Sequence, residues 1–168
     1  SVAGLSAPVR VPDGRNGHAV VRFDGKSALL ISDSEQLDFQ GQDDVSFFVV
    51  ANARSNGSIL ARSDEQTMQY RFHVPRERTL RVVFGRGGRQ ADTSAIVAPD
   101  EFRLFSVIND GRRFALRADG RGDGGGVPGT GRAKALTSVG GRDEGKVQRL
   151  DFDLAELIVF RRALTVAE

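Results

Sequence analysis

The chain is 168 residues long, 39% hydrophobic and 27% charged, which suffices for one buried core. No apolar run approaches the roughly 20 residues of a membrane helix, and the absence of cysteine removes disulfides, thiolate metal sites and a cysteine nucleophile. The net charge is only +2, and 21 Arg and 3 Lys are spread among 22 acids with no basic run longer than the pairs Arg112-Arg113 and Arg161-Arg162, which argues against a nucleic-acid surface.

From the N-terminus, residues 1–16 read as an irregular lead-in, without the charged start and apolar stretch of a signal peptide. After them the hydrophobic period is two. Short runs of Val, Ile, Leu and Phe alternate with polar residues and end in Gly, Asn, Asp or Pro. This predicts strands over 19–23, 27–31, 45–51, 58–61, 69–74 and 79–84. Further strands are predicted over 91–97, 102–108, 112–118, 135–139 and 152–160. Asp24-Gly25 and Asn109-Asp110-Gly111 are hairpin signals, because Asn and Gly accept the positive φ of tight turns. The glycine-dense stretch "DGRGDGGGVPGTGR" (119–132) has no apolar period and predicts a long exposed loop. Thr165-Val166-Ala167-Glu168 is a capping box, which announces a helix that the chain leaves unfinished. Many short strands at spacings near ten residues, with almost no helix, imply an all-β sandwich or barrel. The expectation is a single domain over 1–168, excised from a larger protein.

Five phrases occur in a familiar order: "AVVRFDGKSALLIS", "DDVSFFVVANARSNGSILARSD", "EFRLFSVINDGRRFALRADG", "ALTSVGGR" and "FDLAELIVFRRALTVAE". Together, over residues 17–168, they resemble laminin-G-like domains of the concanavalin A-like lectin-glucanase type. The resemblance implies a two-sheet antiparallel jelly-roll β-sandwich of about 11–13 strands. It also implies a module appended to a secreted, periplasmic or cell-surface protein, where such domains bind carbohydrate, protein or lipid. Some relatives of the fold hydrolyse glycosides and some hold calcium, so the fold does not choose among these activities.

Hydrolysis of a sugar bond needs one carboxylic acid of raised pKa and one ionised carboxylate, about 5–5.5 Å apart in retaining enzymes. Asp151-x-Asp153-x-x-Glu156 approximates the acidic strand of related glucanases, with Asp in place of the first Glu. On a regular strand, however, Asp151 and Asp153 share one face. Glu156 takes the other, among Phe152, Leu154, Ile158 and Phe160. Only a β-bulge unites the three. The parity favours a structural Glu156 on the closing strand, half-buried and paired.

Sugar rings stack on aromatic faces, but the chain has no Trp, one Tyr and eleven Phe, and the Phe residues fall mostly in strand cores. Tyr70 and His73, on one predicted strand, are the ligand candidates. Calcium needs six to eight oxygens; Asp64, Asp110 and Asp123 sit at predicted loop tips, where acids also serve simply as turn formers. Residues 140–147 imitate a phosphate loop without its Ser/Thr, and 120–125 a dinucleotide fingerprint without βαβ context. Arg121-Gly122-Asp123 spells an adhesion tripeptide, and Asn56-Gly57-Ser58 a glycosylation sequon that is equally a turn. The leading expectation is a non-catalytic binding module for a carbohydrate or protein surface, without an obligatory cofactor. The alternatives are a glycoside hydrolase using Asp151, Asp153 and Glu156, and a structural spacer without its own ligand.

Overall fold

The structure, a computed structural model, describes residues 5–32, 35–64, 66–85, 91–92, 97–165 and 168. Its thirteen strands run β1 (Val9–Arg15), β2 (His18–Asp24), β3 (Leu29–Ile31), β4 (Asp44–Ala53), β5 (Gly57–Ser63), β6 (Met68–Val74) and β7 (Arg81–Phe84). They continue β8 (Ala91–Asp92), β9 (Arg103–Asp110), β10 (Phe114–Ala118), β11 (Arg121–Gly126), β12 (Thr137–Val139) and β13 (Asp151–Phe160). The only helical element among the described residues is a 3-10 turn at Glu35–Leu37.

The strands form two antiparallel sheets. One has seven strands in the order β1-β2-β13-β4-β9-β10-β11; the other has six, β3-β12-β5-β6-β7-β8. This is the expected jelly-roll sandwich. Every expected strand is present at least in part, although 93–96, within the expected 91–97 strand, lie outside the described residues.

Alternation explains the core. On β4, Phe47, Val49 and Ala51 point inward and are at most 1% exposed, with Phe48 and Val50 turned outward. Phe47 is the hub between the layers: its ring lies 4.9 Å from Phe72, 5.6 Å from Tyr70 and 5.7 Å from Phe39. At the other end, Phe23 and Phe152 stack at 4.4 Å. Such pairs add roughly 0.5–1.5 kcal/mol to the burial of their area.

Two expectations fail. Residues 1–16 are not an irregular lead-in throughout, because Val9–Arg15 is edge strand β1, paired with β2 through Val9–Arg22 to Val11–Val20. Val9-Arg10-Val11-Pro12 has a strand's alternation, and its proline sits where an edge strand tolerates a missing donor. The 119–132 stretch is not a loop throughout either, since its first half is edge strand β11 on β10. The glycines there permit close approach: a Cβ at Gly124 would stand 2.7 Å from the Asp92 carbonyl oxygen of the opposite sheet. At the C-terminus, Glu168 accepts hydrogen bonds from the Thr165 N–H (3.2 Å) and hydroxyl (3.1 Å), the glutamate half of the expected box. Residues 166–167 lie outside the described residues.

Phe47→Ala should lower unfolding free energy by about 3–5 kcal/mol in urea titrations. A loss below about 1 kcal/mol would contradict its place between the sheets.

Candidate functional site

Strand β13 is hydrogen-bonded on both sides, to β2 and β4, and its register against β4 slips between Leu154 and Glu156. This is a β-bulge at Ala155. Before it, Phe152 and Leu154 face the core; after it, Leu157 and Val159 do. Glu156, Ile158 and Phe160 are therefore exposed. The expectation of Glu156 among core positions, half-buried and paired, is corrected. It lies on the outer face with Asp151 and Asp153 and has no ion-pair partner among the described residues. An unbroken alternation would bury a lone carboxylate between Leu154 and Ile158, a costly placement. One extra residue puts Leu157 and Val159 inward instead.

Cross-strand register builds the rest of this outer face. Asp153 stands opposite Arg22 on β2 and Asn52 on β4, and Asp151 opposite Asp24. Arg22 grips Asp153 with a two-point fork, Nε to Oδ1 at 2.8 Å and Nη2 to Oδ2 at 2.9 Å. Arg54, just past β4, spans both acids, donating from Nε to Asp151 Oδ1 at 2.8 Å and from Nη2 to Asp153 Oδ1 at 3.1 Å. Burial pushes the Asp153 carboxyl up, but the hydrogen bonds and charges of Arg22 and Arg54 outweigh it and hold it below the ordinary carboxylate range. A general acid needs the opposite shift.

Above these groups is a cleft of about 520 Å³, whose walls include Arg22, Asp24, Asn52, Arg54, Asp100, Phe102, Asp151 and Asp153. Asn52 is 5% exposed, and its enclosed amide oxygen accepts no hydrogen bond. A buried acceptor without a donor is costly and rare in a folded protein. The bend between β1 and β2 closes one side. Gly14 packs on Val20, which is 1% exposed, and the Arg15 guanidinium lies 4.7 Å from the centre of the Phe102 ring. Glu156 lines a separate cavity beyond that bend, with Arg15, Asn16 and His18. The bulge thus brings three acids to one face, and the hairpin bend divides them two from one.

The sequence profile of the concanavalin A-like lectin/glucanases superfamily (Laminin_G_3) matches residues 23–168. The chain belongs to this family. No curated protein sequence matches it. Among solved structures, this laminin-G-like chain is similar to the binding domain of paraclostridial mosquitocidal protein 1, with TM-score 0.71 and 13% identity over 96% of its length and 44% of that chain. It is also similar to Trypanosoma rangeli sialidase solved with sialic acid, with TM-score 0.69 and 12% identity over 97% of its length and 28% of that chain. A third likeness is to domain 4 of AbnA, a GH43 extracellular arabinanase from Geobacillus stearothermophilus, solved with arabinotriose. There the TM-score is 0.69 and the identity 13%, over 95% of this chain and 78% of that one. The laminin-G-like chain spans less than half of the first two, and at these identities the likeness is one of fold.

The other candidates of the laminin-G-like chain lie apart from the cleft. Tyr70 is not at a surface: it is 0% exposed, bonded to the Leu37 carbonyl at 3.1 Å and Thr137 Oγ1 at 2.9 Å, and burial pushes its hydroxyl up to about 12. The strand period separates it from His73, which faces outward on the six-stranded sheet with Nδ1 2.9 Å from the Gly57 carbonyl oxygen. Asp64 accepts N–H bonds from Gln66, Thr67 and Lys134, and Asp110 from Arg112 and Arg113. Both close turns, on different sheets. Asp123 lies on β11, and its side chain is outside the described residues. Among the described residues, no three His, Asp or Glu side chains converge on a cation position. Sequence reasoning missed Arg22, Arg54, Asn52 and Phe102, because only cross-strand register places them around Asp153.

Two measurements test this geometry. Glu156→Gln should leave the urea midpoint unchanged, while Leu157→Ala lowers it; the reverse would mean an unbulged strand. Burial, and then Arg71, push His73 down to about 4 from its ordinary 6.5. The unfolded chain therefore binds this proton more readily, and stability should fall as pH drops from 6.5 towards 4. His73→Gln should flatten that part of the thermal-melt profile, whereas an unchanged slope would place the imidazole in solvent.

Proposed function

We propose that this laminin-G-like chain is a non-catalytic module that binds a neutral glycan in the cleft over β2, β13 and β4. In this reading it is carried on a larger extracytoplasmic protein. The observation that carries it is Asn52, which lines the cleft and whose enclosed amide oxygen lacks a donor. A sugar hydroxyl supplies that donor when the Asn52 amide turns into the cleft. Arg22, Arg54, Asp151 and Asp153, fixed by their mutual ion pairs, form a rigid polar floor that loses little entropy when a ligand arrives. Phe102 offers an apolar edge. Four carboxylates against two arginines leave the cleft acidic, which disfavours uronic or sialic sugars. The arabinotriose on the arabinanase domain and the binding role named for the mosquitocidal domain support a binding module. The arginine clamp on Asp153, and the bend that separates Glu156, weigh against hydrolysis.

A polysaccharide array, run with calcium and with chelator, tests the reading. A neutral oligosaccharide should bind without release of reducing sugar, and Asn52→Ala should weaken it about tenfold or more. Asn52→Ala should also keep or raise the melting temperature, because it removes an unsatisfied buried group. Released reducing sugar would support the hydrolase instead, and silence on every surface the spacer.

A second reading has its own observation. Leu104, Ile158 and Phe160, 40%, 38% and 38% exposed, lie on the same outer face, where Phe48 packs edge-on against Phe160 at 6.0 Å. An exposed apolar patch suits a protein partner. Ile158→Asp weakening attachment to the parent protein's neighbouring domains, with glycan binding intact, would favour it.

A further inference from the structure

The opposite sheet carries a different kind of unsatisfied group. Arg71 on β6 points away from the core, flanked by Tyr70 and Phe72, which point into it. Its Nε donates to Ser58 Oγ at 3.1 Å, and its Nη2 is enclosed without an acceptor. Among the described residues no carboxylate forms an ion pair with it. The surrounding arginines are each committed: Arg81 forks Asp92 at 2.7 and 3.1 Å, and Arg142 stands 3.2 Å from Asp143. Arg142 makes that contact through its Nε, to Asp143 Oδ2.

Register and loop packing bring these groups together. His73 lies two residues along β6 from Arg71, opposite Ser58 on β5 and Arg81 on β7. Arg142 comes from the turn after β12, which is held to β5 by the Ser58 N–H to Gln148 carbonyl bond (2.8 Å) and the Ser63 hydroxyl to Asp143 bond (2.8 Å). Three guanidinium groups thus face two aspartates, with Glu77 acting on Arg81 from the neighbouring turn. Burial, and then the charge of Arg142, lower Arg71 to about 10. Arg71 is the one of the three without a carboxylate in ion-pair contact among the described residues. In neutral His73 the proton is on Nδ1, donated to the Gly57 carbonyl, so Nε2 is left as an acceptor.

We propose that Arg71, Arg142 and His73 form a binding site for a small oxyanion, a sulfate or carboxylate, free or carried on a sugar. Arg71 Nη2 supplies a charge-assisted donor to its oxygens, and the Arg142 guanidinium adds positive charge beside it. The bound anion draws a proton onto His73 Nε2, so binding takes up a proton and tightens as pH falls. Asp92 and Asp143 hold the flanking arginines in place. The site is separate from the cleft on the seven-stranded sheet and opposite to it in charge.

The test is a titration of the whole chain with sodium sulfate, a sulfated disaccharide and its desulfated form, at matched ionic strength. It follows melting temperature and the His73 imidazole signals by NMR. Sulfate and the sulfated sugar should stabilise saturably, the desulfated sugar should not, and the His73 titration midpoint should rise with ligand. Arg71→Gln should weaken binding about tenfold or more. Arg142→Gln, at a partly exposed position, should do the same if the first variant folds poorly. Tighter binding of the sulfated sugar than of sulfate identifies a glycan as the source, and the reverse identifies the free ion. Sulfate raising the melting temperature equally in wild type and both variants, with His73 unmoved, would be salting-out stabilisation and would overturn the site.

Discussion

Strand β13 has to keep an unbroken apolar row against the core while carrying Glu156 in the middle of its sequence. It lies inside the seven-stranded sheet with partners on both sides, so it cannot rotate away from the problem. Its one freedom is register. The bulge at Ala155 lets Phe152 and Leu154 pack on one side of the slip and Leu157 and Val159 on the other. The acids then fall on the outer face, and the arginines of β2 and of the β4 end fall opposite them. The cleft is thus a consequence of how β13 satisfies the core.

The two outer faces solve charge differently. Over the seven-stranded sheet, Arg22 and Arg54 share Asp151 and Asp153, and the imbalance is acidic. Over the six-stranded sheet, arginines outnumber their aspartates around Arg71. Each face has an enclosed polar atom without a hydrogen-bond partner, an acceptor on Asn52 over one sheet and a donor on Arg71 over the other. Neither side chain belongs to the aromatic cluster around Phe47. A group that costs stability and supports no packing is a functional candidate on physical grounds.

Much of the fold was legible because a strand advertises itself by period two. "VSFFVVA" and "QYRFHV" place Phe47, Tyr70 and Phe72 in the core and Phe48, Arg71 and His73 outside, once one inward residue is known. Tyr70 and His73 share one strand but not one face, because positions three apart on a strand point to opposite sides. Edge strands β1 and β11 were not legible. One carries a Pro, the other is mostly Gly, and neither needs a buried side chain to pair. The site was legible only as three acids, because its other members are separated from Asp153 by 131, 101 and 51 residues for Arg22, Asn52 and Phe102.

By itself the sequence determined the all-β class, the order of most strands, the aromatic core and the family resemblance, because these rest on local alternation and turn chemistry. Tertiary structure alone decided which way Glu156 points, since bulge and no bulge share the same local pattern and differ only in what the core will accept. It alone decided that Asp153 is clamped between two arginines, and that the Asn52 amide oxygen and Arg71 Nη2 are enclosed without partners. Those are statements about neighbours across strands, and a linear pattern carries no term for them.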